Sequence, residues 1–360
     1  MSAVSRTIGR VFSAVYRFWR SGMAGHSGSI AKIMLPPELG GLKLETAKQY
    51  EKRRVVGVRA VTNLGRLMTA MVTPFDGSER VDFEQAKRLA KALLDSGSDG
   101  IVLAGTTGES PTLTKEEKLQ LFSEVRGFLG DKACIVAGTG SYSTAESVDL
   151  TKEAERRGVT AILAVVPYYN KPPMEGLYRH FCAIAEATTL PVILYNVPSR
   201  TSLNMDVATV VRLSKIRNIV GIKEASGDLE QAAQIMKEAE PGFLVWSGND
   251  SDNFGIMALG GYGAVSVSSH LVGRQIRGVI DGVLEGRKEE AEAEHLRLLA
   301  LNKGLFVVSN PIPVKWCLNQ AGFDVGAPRL PLIEAEEDTQ AFLRDLMKGY
   351  AIDLPIGGGR

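Results

Sequence analysis

Val220-Gly221-Ile222-Lys223-Glu224-Ala225-Ser226-Gly227-Asp228 is a short apolar run that ends in a lysine and then breaks into small and polar residues. If 219–222 is a buried strand, Lys223 sits at its carboxyl end, at the mouth of whatever the strand lines. An ammonium there is poorly solvated, so desolvation lowers its pKa from the free value of about 10.4 and leaves some amine uncharged. Such an amine attacks carbonyl carbon and forms a Schiff base. Taken alone, the window reads more simply as a strand-end lysine that reaches solvent or pairs with Glu224. The surrounding chain decides between the two.

Working outward, the run at 219–222 is one of eight, the others being 67–73, 100–103, 134–138, 161–166, 192–195, 243–246 and 263–267. Longer segments of helical period separate them, which is the mark of repeated strand-helix units and a parallel sheet. The clearest such segment opens at Thr114 with Glu117 three residues on, a capping box, and is expected to bury Leu119, Phe122 and Val125. Another, 143–157, is rich in Ala and Glu and is stopped by Gly158. Eight strands with intervening helices predict an α/β fold of the closed (β/α)8 TIM-barrel type. A doubly wound open sheet is the alternative, but no dinucleotide glycine fingerprint follows the first run. After Gly286 the pattern is helical only, through 289–303, 313–321 and 338–350. The expected organisation is therefore an N-terminal extension over 1–60, a catalytic barrel over 61–286, a small C-terminal helical appendage over 287–354 and a flexible tail over 355–360.

The extension differs from the rest of the chain. Arg6, Arg10, Arg17, Arg20 and Lys32 precede its first acidic residue, Glu38, and Val11, Phe12, Val15, Tyr16, Phe18 and Trp19 could form one face of a helix. Three readings stand: an organelle transit peptide, a membrane-surface helix, or upstream sequence ahead of an original start near Met68, the last preferred. The compartment expected is the cytoplasm, or a plastid if 1–60 is a transit peptide. A net charge of +1 gives no pull toward nucleic acid or membrane, so the expected partner is a small molecule. Cys134, Cys182 and Cys317 lack C-x-x-C spacing and neighbouring histidines, which predicts no disulfide framework and no metal site. His26, His180, His270 and His295 are scattered, so no metal and no cofactor is expected.

In a barrel of this kind the site is built from loops that follow the strands. Gly105-Thr106-Thr107-Gly108-Glu109-Ser110 follows the second run and can offer hydroxyls and backbone N–H groups to a carboxylate, or simply turn the chain. Tyr168 and Tyr169 follow the fourth, either as packing at a subunit contact or as a phenol at the mouth. Tyr195 ends the fifth, next to the strand that carries Lys223 and close enough for proton transfer during imine chemistry. Arg200 then lies in the loop as a fork for a substrate carboxylate. Asp250 and Asp252 follow the seventh run, where they would repel a phosphate. The expected substrate is an unphosphorylated acid.

Taken together, Gly-Thr-Thr-Gly-Glu at 105–109, Pro-Tyr-Tyr-Asn at 167–170, Tyr-Asn-Val-Pro-Ser-Arg-Thr at 195–201, Gly-Ile-Lys-Glu-Ala at 221–225 and Asn-Pro-Ile-Pro-Val-Lys at 310–315 resemble the dihydrodipicolinate synthase family. These are pyruvate-dependent class I aldolase-type enzymes, and the likeness covers about 67–350. The resemblance implies condensation of pyruvate with L-aspartate 4-semialdehyde to 4-hydroxy-tetrahydrodipicolinate, the first committed step of lysine and diaminopimelate biosynthesis. It implies that Lys223 forms the Schiff base, that Tyr195 moves protons, and that Thr106 passes them between Tyr195 and a Tyr169 lent by a neighbouring subunit. Thr107 would hold the pyruvate carboxylate, Val265 line the opposite wall, Gly248 leave room, and Arg200 receive the carboxylate of the semialdehyde. A homotetramer, a dimer of dimers, is implied as well.

Family members are often inhibited by lysine, and Ser110, Glu146 and Tyr168 match positions of that effector site. Lys115, Lys118 and Tyr142 stand where lysine-sensitive bacterial members carry histidine, histidine and asparagine. Two ammonium groups near a pocket for a cationic effector repel it, which predicts weak or absent feedback. The related N-acetylneuraminate and keto-deoxy sugar acid lyases share the lysine and tyrosine but need room for a hydroxylated chain where Arg200 stands. A barrel that binds a keto acid without turnover is the remaining alternative, and Lys223, Tyr195 and Thr106 together argue against it.

Overall fold

The computed structural model describes residues 64–131 and 133–355. The extension expected over 1–60 lies outside the described residues, as do 356–360 of the expected tail.

Eight parallel strands close in chain order into a barrel: β1 Leu67–Ala70, β2 Gly100–Leu103, β3 Cys134–Gly138, β4 Ala161–Val165, β5 Val192–Asn196, β6 Ile219–Glu224, β7 Leu244–Ser247 and β8 Gly263–Ser266. Both faces of each strand are covered, which is why the strands read as continuous apolar runs rather than as alternations. Met68, Val102, Val136, Leu163, Ile193, Trp246 and Val265 fill the interior. Their neighbours Leu67, Ile101, Ile135, Ile162, Leu194, Val245 and Ala264 face the surrounding helices. Each fully buried side chain of this size contributes roughly 1.5–3 kcal/mol.

The helix Lys115–Leu129 begins at the expected capping box, with Thr114 and Glu117 each bonded to the other's backbone N–H. It buries Leu121, Phe122 and Val125, whereas Leu119, expected inside, is only half-buried. The helix Thr144–Arg156 is capped by Ser143 and followed by Gly158 at φ +75°. Beyond the barrel lie the helices Lys288–Gly304, Ile312–Gln320 and Glu337–Met347, within one to three residues of the expected helical segments. Among the described residues no helix is long and apolar enough to cross a membrane.

One irregularity decides the site. Val192 pairs with Ile219 but Ile193 pairs with Gly221, so Val220 is an extra residue in β6. A bulge of this kind reverses the in-out alternation downstream of it. Ile219 faces the helices and Val220 the interior, yet Ile222 faces the helices again, which turns Lys223 inward. Were the same residues paired one to one without the bulge, Lys223 would point at the helices. Gly221 belongs to the same device, because a Cβ there would stand 2.3 Å from the Leu244 carbonyl oxygen and 2.7 Å from the Trp246 ring.

Two buried histidines make the fold acid-sensitive. His270 donates from Nδ1 to the Val267 oxygen and accepts at Nε2 from the Val72 N–H at 3.1 Å, an arrangement open only to the neutral ring. Burial pushes its pKa down from 6.5 to about 4, and does the same to His180. The unfolded chain therefore binds more protons between those two values, and stability falls as the pH drops through that window. His270 alone accounts for about 3 kcal/mol of the loss once the pH reaches its folded pKa. Urea unfolding at about pH 7 and about pH 4.5 measures it, and equal stabilities at the two would contradict the assignment.

Candidate active site

Lys223 stands at the carboxyl end of its strand, as expected, and because the strand runs on through Glu224 it is a ladder residue paired with Tyr195 on β5 and with Trp246 on β7. It is 5% exposed, and its Nζ lies 4.2 Å from the centroid of the Tyr195 ring. Gly248 permits this packing: a Cβ there would meet the Ala225 Cβ at 2.7 Å and the Lys223 Cγ at 3.1 Å. Val265 belongs to the same interior cluster as Tyr195.

A cavity of about 220 Å³ opens beside this pair, lined among others by Thr106, Ser110, Tyr168, Tyr195 and Arg200. Tyr195 thus touches both the cavity and Lys223. Lys223, Thr107, Gly248 and Val265 are not part of the cavity lining. Arg200 sits in a single helical turn, Pro198–Thr201, and its Nη2 donates to the Asn310 carbonyl oxygen at 3.3 Å. Thr107 is buried, and its Oγ1 accepts from Asn310 Nδ2 at 2.9 Å.

The two tyrosines part company. Tyr169, at φ +70°, is 93% exposed and does not line the cavity of its own chain. Tyr168, which the sequence associates with an effector site, does line it, with its ring edge-on to Tyr142 at 5.3 Å. Burial pushes the Tyr168 phenol above its ordinary value, and the neighbouring Tyr142 and Glu146 push the same way.

Three further residues hold the site and were given no role in the sequence reading. Asn310 bridges Thr107 and Arg200. Glu109, buried at φ +56°, accepts from Lys315 Nζ at 2.8 Å and from the Arg329 N–H at 2.9 Å. Lys315 donates in addition to the Ala327 oxygen at 3.0 Å and lies 4.2 Å from the Phe75 ring. Burial pushes the Lys315 ammonium down to about 8, against the pull of Glu109. Asn310 and Lys315 fall in the Asn-Pro-Ile-Pro-Val-Lys motif, but Thr107 and Glu109, to which they donate, lie more than two hundred residues away. No local spacing signals that. Among the described residues no group of three or more His, Cys, Asp or Glu is placed to hold a metal ion.

The family model described as the dihydrodipicolinate synthetase family matches residues 63–349. A 4-hydroxy-tetrahydrodipicolinate synthase of Dehalococcoides mccartyi strain CBDB1 is 58% identical over 293 residues, 81% of this chain and 99% of that protein. A dihydrodipicolinate synthase crystal structure from Bacillus anthracis superposes with a TM-score of 0.78 at 44% identity, covering 80% of this chain and 98% of that one. A synthase from Cyanidioschyzon merolae, crystallised with lysine bound, also gives 0.78 at 44% identity, over 79% of this chain and 98% of its own.

Proposed function

Because this chain belongs to the dihydrodipicolinate synthetase family, we propose that it is a lyase-class enzyme that condenses pyruvate with L-aspartate 4-semialdehyde to 4-hydroxy-tetrahydrodipicolinate. The observation that carries the chemistry is the Lys223–Tyr195 pair, an amine and a phenol on directly opposed ladder positions beside a cavity that also holds Thr106 and Arg200. The Lys223 amine adds to the pyruvate ketone carbon, water leaves, and an imine forms. Tyr195 passes its phenolic proton through Thr106 to the Tyr169 of a second copy, and the phenolate then takes a proton from the methyl group, giving an enamine. The enamine carbon attacks the aldehyde of the second substrate, whose carboxylate Arg200 receives through its planar fork. The amino group of the new chain then attacks the imine carbon, closing the ring and expelling Lys223 as a free amine.

Thr107 suits the pyruvate carboxylate. Its oxygen already accepts from Asn310, so its own O–H is left to donate. Tyr169, turned out into solvent, serves the cavity of a second copy of the chain, which makes the working unit a dimer and, by family pattern, a homotetramer. The three cysteines are free, which supports the cytoplasm as the compartment.

The effector position supports weak or absent feedback by lysine. Lys115 is ion-paired with Asp149, and Lys118 is half-buried, its ammonium held below the ordinary lysine value by burial against the pull of Glu146. Lys118 lies within electrostatic reach of Glu146, a position the family resemblance gives to the effector site, and an ammonium there repels a cationic ligand. One steady-state assay with pyruvate and L-aspartate 4-semialdehyde tests both statements. The expected result is turnover that millimolar lysine leaves almost unchanged. No turnover would overturn the function, and micromolar inhibition would overturn the feedback reading.

A further inference from the structure

We propose that Asn196 and Glu224 are positioning residues, whose hydrogen-bonded network on the outer face of the barrel holds Tyr195 against Lys223, a role that rests on the Schiff-base chemistry proposed above. Each directly follows one member of that pair in sequence, and the two are themselves register partners one step up the same ladder. Strand alternation sends Tyr195 and Lys223 inward and Asn196 and Glu224 outward. Both outward residues are buried, at 0% and 2% exposure.

The contacts between them are dense and directional. Asn196 Nδ2 lies 3.2 Å from each Glu224 carboxylate oxygen and donates to Asn204 Oδ1 at 2.8 Å. Glu224 also accepts from the Ser226 N–H at 2.7 Å and from Gln231 Nε2 at 3.3 Å. Asn204 Nδ2 donates to Gln231 Oε1 at 2.8 Å, and Asn196 Oδ1 accepts from the Met205 N–H at 3.1 Å. The network joins the end of β5, the end of β6, the first turn of the helix Leu229–Glu238 and the chain that follows Arg200.

Energetics argue that this is more than wall filling. The outward positions just below, Leu194 and Ile222, are apolar and pack against the helices. Another apolar pair would close the same wall without burying a carboxylate, which is expensive even when hydrogen-bonded. Apolar contact, however, is non-directional and lets two strand ends slide or splay. Hydrogen bonds of fixed length and angle do not. The strand ends are where the ladder runs out, and there a small displacement separates the phenol from the imine it serves.

The test separates imine formation from proton transfer in the full-length protein. Imine formation needs the Lys223 amine and a proton for the departing water, which solvent can supply, and is read by borohydride trapping with pyruvate. Proton transfer is read by deuterium wash-in at the pyruvate methyl group, without the second substrate. In Asn196→Ala and Glu224→Gln the expected result is trapping equal to wild type and wash-in slowed by about tenfold to a hundredfold. Gln231→Ala, at the edge of the network, should show a smaller effect of the same kind and serves if the other two fail to fold. Trapping and wash-in that fall together, or a folded variant in which neither falls, would overturn the role. A wild-type protein that traps no pyruvate would overturn the Schiff-base reading as well, and is recognised by that result alone.

Discussion

Lys223→Ala is expected to abolish turnover, by about 10³-fold or more, and to leave no borohydride-trapped pyruvate, while the barrel stays folded. The amine is the only group in the proposed mechanism that forms a bond to substrate, so its removal does not weaken a step but deletes the route. The fold survives because the lysine makes one ring contact at the barrel mouth and is not part of a buried ion pair in the described residues. Lys223→Arg sharpens the result. Guanidinium keeps a positive charge over the Tyr195 ring but cannot form an imine under these conditions, because it is never deprotonated. Equal inactivity of Ala and Arg variants with native near-ultraviolet circular dichroism identifies the lysine as a nucleophile. Substantial turnover in Lys223→Arg would mean that the charge alone matters, and the covalent mechanism would fall.

The ladder explains why this residue was legible before the fold was known, and why its surroundings were not. Strands buried on both faces leave unbroken apolar runs, so eight of them can be counted without coordinates. The end of β6 was misjudged by two residues because Lys223 and Glu224 are polar, and polarity reads as the end of a strand. What keeps them in the ladder is hydrogen bonding to β5 and β7, which leaves no local trace. The bulge at Val220 leaves only a faint trace: a glycine inside an apolar run, Ile-Val-Gly-Ile, is compatible with a bulge but does not say which residue goes unpaired. Yet that unpaired residue sets the direction in which the lysine points. Tyr169 illustrates the complementary limit, since a side chain proposed to serve another subunit stands exposed in a single chain. Its role is carried by family resemblance, not by its own spacing.

Breaking the Glu109–Lys315 pair is the second large effect expected, and here stability and activity should separate. Both side chains are 1% exposed, so Lys315→Met leaves a carboxylate buried beside the Arg329 N–H with its cation gone. Removing one partner of such a pair destabilises by about 3–5 kcal/mol, whereas replacing both with uncharged groups of similar volume is nearly neutral. Urea unfolding should therefore show a large loss in Lys315→Met and recovery of most of it in Glu109→Gln/Lys315→Met. Activity should not recover in step. Glu109 closes a loop whose Ala104 and Glu109 both have positive φ, a conformation that side chains other than glycine resist and that persists only where surrounding contacts impose it. With the ionic anchor gone, the loop is held by the Thr107–Asn310 bond and by the Thr73 hydroxyl on the Gly108 oxygen. Thr107 then loses its fixed approach to the pyruvate carboxylate it is proposed to hold, and the expected signature in the double variant is near-native stability with a raised KM for pyruvate. A double variant that regained both stability and native KM would show that the pair only holds the C-terminal helices on the barrel. A double variant as unstable as Lys315→Met would show instead that the charges themselves are required for folding.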